Sequence, residues 1–475
     1  MPSRHPTWRC LPNDTKLIMS SRPNIIVVLC DQLRRSALGC YGDPDAHTPN
    51  IDKLAAQGVT FNNASSTCPV CVPFRFSMMT GQYAHSRAVP SIHWRMSPAE
   101  HTLADAFNQA QYDTMYVGKW HLAGGTGPFG FKQPVARPYR GAWKTWRGFE
   151  LRNNYFDTVY FEDDSPAPIP IKGYQTDGLF NVATDLLDQR SPQSDPFFMV
   201  LSVEAPHPPY EAPEPLLNQW LEHDLTLPPN FMRPDVHDPL AGPRGQPFAA
   251  DKREHVLRRR KIYYAMLQNL DENVGRLMDK IQESQLSKNT IVVFLSDHGE
   301  LGGAHALEEK QYPFEESNGI PLIAWGPGCE IAQGARIPIP TCTEDIYPTL
   351  LGLAGLNTKS NSPETPGYNL VSLLQNPTHK INRPGVMLEF IHEHREIFPF
   401  YKRGYRGFRS ERYKYTSLIS AENGKLVPWQ FYDLQNDPYE MHNLIDDDAS
   451  SAMIAQHQTW LTQRMVATHD DLRLL

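Results

Sequence analysis

No run of apolar residues in this sequence approaches the length needed to span a bilayer, so no membrane-crossing helix is expected. An excess of positive charge is missing too. Lys and Arg number 45 against 53 Asp and Glu, a net charge of −8, which excludes a nucleic-acid binder of the usual basic kind. Cysteine is scarce. Seven in 475 residues is an odd count at low density, so a disulfide scaffold is not expected and at least one thiol is free or chemically used. The first 22 residues lack an apolar core followed by small residues. They read as a flexible tail, and Met19 would serve as a start. Cytoplasmic residence is the expectation, with periplasmic or secreted residence in its place where a leader has been removed. Internal repeats and low-complexity blocks are absent.

What is present is a chain long enough for a large core. Its 42 prolines point to ordered, irregular loops laid over a scaffold, which is where sites tend to be built. Asn24 to Cys30, Pro196 to Val203 and Thr290 to Leu295 are apolar runs of the buried parallel-strand type. Thr114 to Gly118 reads as a shorter strand. Helical patterns cover Pro49 to Gln57, Arg75 to Met79, Thr102 to Ala110, Gln175 to Gln189 and Lys252 to Ser284. Thr48 is the expected cap of the first, with Pro49 at its first position. Residues 123–173 and 211–249 read as elaborated loops. Alternating strands and helices imply a mostly parallel sheet covered on both faces.

After about residue 374 the pattern changes. Pro384 to Glu389, Gly407 to Ser417 and Gln430 to Asp433 read as short strands, and Ala449 to Thr468 as a closing helix. The expected division is a tail over 1–22, an α/β domain over 23–374, and a smaller C-terminal part over 375–475 with a small antiparallel sheet.

Chemistry-bearing residues gather after strands. Asp31-Gln32 and Asp297-His298 each follow an apolar strand, and Lys119 and His121 stand in the same class of position. A single such Asp is as often a cap or a loop anchor. Two pairs at one sheet edge offer two carboxylates, an amide oxygen and an imidazole, which suits a divalent cation. Taken alone, His207 between prolines reads as a rigid loop residue, Lys310 as a solvated lysine and Arg75 as the partner of a helix-end carboxylate. Cys68 and Cys71 form a Cys-x-x-Cys, but no second pair or thioredoxin-like context accompanies it.

The decisive string is Cys71-Val72-Pro73-Phe74-Arg75, followed by Thr80-Gly81. It resembles the modification signature of type I sulfatases, in the alkaline phosphatase superfamily. Further strings match in order: residues 24–42, 48–52, 118–122, 205–210, 270–275, 296–300, Lys310 with Glu315-Glu316-Ser317, and 432–440. The resemblance implies an alkaline phosphatase-like fold, α/β with a large mostly parallel sheet sandwiched by helices. It also implies that Cys71 is oxidised to 3-oxoalanine (formylglycine) by a formylglycine-generating enzyme.

In that chemistry the hydrated aldehyde carries two hydroxyls. One attacks sulfur; the other later expels the sulfate, which a plain serine or cysteine cannot do. The resemblance gives Asp31, Gln32, Asp297, His298 and residue 71 to one divalent metal. Calcium is the family's usual ion, and manganese is the alternative because an imidazole is among the ligands. Asp297 is placed to accept the nucleophile's proton. Arg75, Lys119 and Lys310 neutralise the sulfate, His207 is the candidate general acid, and His121 the candidate base for the second step.

Gln32 and His298 depart from the Asp and Asn that many members carry. Phe74 stands where a small residue is usual, and Asn318-Gly319 where a basic residue often follows Glu-Ser. The expected substrate is a small or oligosaccharide sulfate ester, with aryl sulfates as surrogates. Trp94, Arg95, Trp143, Trp146, Tyr210 and His392 to Arg395 lie in loops within reach of it. Homo-oligomerisation is left open. The rival readings are a phosphonate or phosphate ester hydrolase of the same superfamily, a non-catalytic glycan-binding relative, and a Cys68–Cys71 redox protein.

Overall fold

Asn24 to Asp31 is apolar and β-branched along its length, and in the computed structural model it is a fully buried strand. Residues 22–125, 132–233, 247–356, 365–420 and 422–472 are described; the tail expected over 1–22 lies almost wholly outside them. In chain order the strands are β1 (Asn24–Asp31), β2 (Val59–Phe61), β3 (Ala64–Ser65), β4 (Asp113–Lys119), β5 (Thr145–Phe149), β6 (Thr158–Glu162), β7 (Pro168–Ile171) and β8 (Phe197–Pro206). They continue as β9 (Thr290–Ser296), β10 (Leu322–Trp325), β11 (Ala335–Ile337), β12 (Thr341–Cys342), β13 (Gly385–Phe390), β14 (Tyr405–Ser410), β15 (Tyr413–Ile419) and β16 (Leu426–Asp433).

Ten strands form one sheet in the order β11-β2-β10-β9-β1-β8-β4-β5-β6-β7. Its centre, β9-β1-β8-β4-β5, is parallel throughout, while β10, β6 and β7 run antiparallel to their neighbours. Strand side chains alternate between faces. Ile25, Val27 and Leu29 therefore enter one core, with the helices Cys71–Thr80, Leu103–Gln109 and Ile346–Leu353. Ile26, Val28 and Cys30 enter the other, with Pro49–Ala56, Gln175–Asp188 and the long Arg253–Glu283 helix. The mostly parallel sheet between helical layers is the expected fold class.

The C-terminal sheet is antiparallel, in the order β13-β14-β15-β16. Met387, Phe408, Tyr415 and Phe431 pack on the helix Ser451–Ala467. Phe390, Tyr405 and Leu418 face the other way, against Cys68, Val70, Leu301 and Phe314. That second contact joins the small sheet to the segments that carry Cys68 and Leu301.

Four readings need correction. Residues 123–173 are not only loop: β5, β6 and β7 extend the sheet from within them. Glycine and proline in Thr145–Phe149 and Pro168–Ile171 hid them, although proline is tolerated in β7 because it is an edge strand. The segment 211–249 contains the helix Glu214–Glu222, whose buried Trp220 stacks on Tyr264. Gly407 to Ser417 is two strands, β14 and β15, joined at Glu411-Arg412. Thr48 does precede the Pro49–Ala56 helix, but its hydroxyl does not cap it. The Asp271 carboxylate, reaching from the long helix, takes the Asn50 and Ile51 amides at 3.1 and 2.8 Å instead.

Candidate active site

Helix Cys71–Thr80 starts on the cysteine itself and is buried along its whole length. Pro73 is tolerated because it lies in the first turn, where its missing N–H would have no helical partner. Gly81 ends the helix in the left-handed region at φ 72°. Phe74 is fully buried among the core side chains, so its bulk serves packing. Arg75, four residues after Cys71, lies on the same face of the helix.

Cys71 Sγ is 3.2 Å from His298 Nε2, 3.5 Å from Asp31 Oδ1 and 3.8 Å from Lys310 Nζ. Burial, with Asp31 second, pushes its thiol up to about 12. An unmodified Cys71 is therefore a protonated, weakly nucleophilic thiol at neutral pH.

Asp31, Cys71, Asp297 and His298 each offer a donor atom, all within 4.8 Å of one another. His298 Nδ1 donates to the Gly299 carbonyl at 3.0 Å, which leaves Nε2 with a lone pair. That lone pair is 3.4 Å from Asp297 Oδ1 and 3.7 Å from Asp31 Oδ1. Burial foremost lowers His298 to about 4, so the ring is neutral at physiological pH. The lone pairs of His298 Nε2 and of the Asp31 and Asp297 carboxylates converge there, which fits a cation. Gln32 adds an amide. Its Nε2 donates to the buried Glu300 carboxylate, and its Oε1 accepts from Lys310 Nζ at 2.6 Å. The Gln32 backbone is left-handed at φ 67°, and its N–H reaches Asp297 Oδ1 at 3.0 Å.

A ring of cations surrounds this group. Arg75 Nη2 is 3.3 Å from Asp31 and 3.2 Å from Asp297, while Nη1 donates to the Lys119 carbonyl and Ser202 Oγ. Its two terminal nitrogens thus hold two carboxylates, a carbonyl and a hydroxyl, while Nε is buried without a partner among the described residues. Lys119 Nζ is 2.7 Å from Asp31 Oδ2 and 3.8 Å from Glu204. Burial would raise the Asp31 carboxyl, but Lys119 foremost, with His207, Arg75 and His298, holds it well below the usual carboxylate range.

His207 follows β8 at a turn containing cis Ala205-Pro206 and Pro208-Pro209 bonds. Its Nδ1 donates to Pro208 O at 2.5 Å, which fixes the ring and leaves Nε2 unprotonated. His121 is buried with φ 56°, and neither ring nitrogen has a partner among the described residues. Burial, and then the Lys310 charge for His207 or the Lys119 charge for His121, keeps both rings well below the ordinary histidine range.

The structure therefore gathers all of Asp31, Gln32, Cys71, Arg75, Lys119, Asp297, His298 and Lys310 into direct contact. His121 and His207 stand beside them by their electrostatic coupling to Lys119 and Asp31. Sequence reading missed Glu300, Ser202 and Glu204. The last two interrupt the apolar run of β8 at alternate positions, and that period of two was the available signal. Glu204 accepts from the Arg152 amide and from Gln175 Nε2, both at 2.8 Å.

Among the loop aromatics, Trp143 and Trp146 are core, packed on Tyr116. Trp94 stands edge-on to Phe76, and Tyr210 lies under the Arg259 guanidinium. Asn318 and Gly319 are buried, with Asn318 O accepting from Ser66, so they shape the site's support more than its opening. Cys68 is a free, buried core thiol.

The profile of the sulfatase family matches residues 23–356. This chain belongs to the sulfatase family. It is accordingly a sulfuric ester hydrolase. A second profile, the C-terminal part of N-sulphoglucosamine sulphohydrolase, matches residues 303–467. Curated relatives include an ulvan-active sulfatase of Formosa agariphila, 29% identical over 95% of this chain and 83% of its own length. The sulfatase YidJ of Escherichia coli is 31% identical over 90% and 84%. A Δ4,5-hexuronate-2-O-sulfatase of Bacteroides thetaiotaomicron is 28% identical over 96% and 91%. Among solved structures, the yidJ protein of Bacteroides fragilis superposes with a TM-score of 0.83 at 24% identity, covering 97% of this sulfatase and 99% of that chain. The phosphonate monoester hydrolase of Agrobacterium radiobacter gives 0.74 at 23%, covering 94% and 96%, which shows a shared fold.

Proposed function

We propose that this sulfatase hydrolyses sulfate monoesters carried on carbohydrates, with residue 71 as the nucleophile after oxidation to formylglycine. One observation carries the reading. Cys71 Sγ sits at a helix start, within 3.8 Å of His298, Asp31 and Lys310. The sugar class is supported by relatives named for ulvan and for a hexuronate 2-O-sulfate.

Asp31, Gln32, Asp297 and His298 would hold a divalent cation. It supplies a lower pKa for the attacking hydroxyl and a screen for the sulfate oxygens. Calcium is the first candidate, and the nitrogen of His298 makes manganese the second. The rest follows from the chain's own groups. Arg75 holds the Asp31 and Asp297 carboxylates apart and oriented. Asp297 receives the nucleophile's proton. Lys310, the cation nearest Sγ, meets the sulfate, while Lys119 restrains Asp31. His207 presents Nε2 to the leaving oxygen; an anionic sulfate beside it favours the protonated ring against the burial and the Lys310 charge that keep it neutral. His121, with both nitrogens unpartnered, is placed to take the proton whose loss expels sulfate in the second step.

The test is a panel of sulfated sugars and aryl sulfates on protein co-expressed with a formylglycine-generating enzyme. Mass spectrometry of the Cys71 peptide and metal analysis accompany it. Modified, metal-loaded protein without turnover of any sulfate ester would overturn the reading. The second reading is phosphonate or phosphate ester hydrolysis, because enzymes of that kind in the same superfamily can share the Asp-Gln and Asp-His pairs. An aryl phosphonate turned over orders of magnitude faster than the matching sulfate would establish it.

A further inference from the structure

Beside Lys310 the structure carries a group of side chains that the chemistry above does not use. Gln311, the next residue, donates from Nε2 to Glu393 Oε2 at 2.7 Å. Glu393 is fully buried, and its Oε1 accepts from Ser91 Oγ and from the His394 and Arg395 amides at 2.9–3.0 Å. Arg395 grips the same carboxylate from Nε at 3.0 Å and Nη2 at 2.6 Å, and lies 3.7 Å over the Phe398 ring. Its Nη1 edge is thereby turned away from Glu393. The ring of His394 meets that of exposed His93 at 5.5 Å. Arg95, two residues on, bridges to Ala123, two residues past His121. The group therefore spans from the segment bearing His121 to the one bearing Lys310.

The buried Glu393 carboxylate is occupied in holding the loop together, and the exposed Glu396 follows Arg395 in sequence. The basic groups His93, His392, His394 and Arg395 disfavour one another's charge. Burial, then Arg395 and His394, lower His93, and burial, then His394, lower His392. An anion seated among them would reverse that penalty.

We infer that the rim formed by His93, His394 and Arg395 is a subsite for a second anionic group, a carboxylate or a further sulfate, on the sugar that bears the scissile sulfate. This rests on the carbohydrate sulfatase reading above. Arg395 is the fixed element, fork-bonded and stacked. His394, whose side chain is 36% exposed, and His93 are the adjustable donors. The subsite would explain why a fully buried glutamate is placed here to hold an arginine and not to coordinate anything.

Equilibrium binding to the Cys71→Ala chain tests the rim without turnover. One pair of probes is a 2-O-sulfated hexuronate and its methyl ester. The other is N,6-O-disulfated glucosamine and the N-acetylated 6-O-sulfate. The charged member of at least one pair should bind about tenfold more tightly, as for one charge-assisted contact. The pair that shows it identifies carboxylate or sulfate as the ligand. Adding His93→Ala with His394→Ala, or the milder His394→Gln, should bring that ratio toward one. Ratios near one for both pairs, or a ratio untouched by the substitutions, would overturn the subsite. Matured enzyme inert on every sulfate ester would instead sink the parent reading and leave these ratios to be judged alone.

Discussion

Arg75 holds two carboxylates with one nitrogen and a carbonyl and a hydroxyl with the other, and a lysine cannot reproduce that fork. Arg75→Lys should lower kcat/KM by about 100-fold or more while KM changes little, because the loss is one of orientation. A KM rise at constant kcat would show that Arg75 meets the substrate directly. The two nearby cysteines should part company. Cys71→Ala should remove sulfate hydrolysis by about 1,000-fold or more. Cys68→Ser, in the apolar cluster with Phe390 and Phe400, should keep turnover and lower stability modestly. If Cys68→Ser alone abolished activity, a redox pair would return as the better account.

Elements, in this molecule, act by delivering a residue. β4 ends on Lys119, and Gly118 before it has φ +97°, with the Ser202 carbonyl where a Cβ would be. Gly118→Ala should cost about 2–4 kcal/mol in chemical denaturation and reduce activity together, since β4 must move away from β8. Unchanged stability would show that the close approach is dispensable. The loop bearing Lys310 is built in a similar way, with left-handed His305, Ala306, Glu309 and Gln311. The central strands were legible because β1, β8 and β9 are long, mainly apolar runs. β2, β10 and β11, of three or four residues, were not, since their pairing depends on neighbours distant in sequence. The two site pairs were legible together as strand-end groups at one sheet edge, whereas the parts given to Arg75, Lys119, His121, His207 and Lys310 came only through family strings. Glu300 and Glu393 fell within segments singled out in the sequence, but their anchoring roles were not legible, because a buried glutamate looks in sequence like any surface one.

Across the whole molecule, one buried cluster ties the segment that follows the Cys71–Thr80 helix to the end of the chain. His85 Nδ1 is 2.6 Å from Glu389 on β13, and its Nε2 is 3.0 Å from Thr468 O past the last helix. Asp470, also near, is held by Arg406 on β14. Both ring nitrogens face acceptors, so the charged imidazolium fits. Burial opposes that charge, but Glu389 outweighs it and pushes His85 from 6.5 up to about 9. A raised folded-state value stabilises fully below pH 6.5 and is lost as pH climbs through 9. Thermal stability should therefore fall between those limits by about 2–3 kcal/mol, and His85→Gln should flatten the slope. A wild-type profile that is level or rising across the window would reject the clasp.

The burial of Cys71 to Arg75 carries a consequence in time. Only 1% of Cys71 is accessible, and the residues after it are sealed inside a helix packed into one half of the core. No oxidising enzyme can grasp that segment in the finished fold. The proposed conversion must then race chain collapse: it is written into the polypeptide while it is still slack, or not at all. A batch folded with its thiol intact should stay inert however long it meets the maturation enzyme, and should be rescued only by unfolding first.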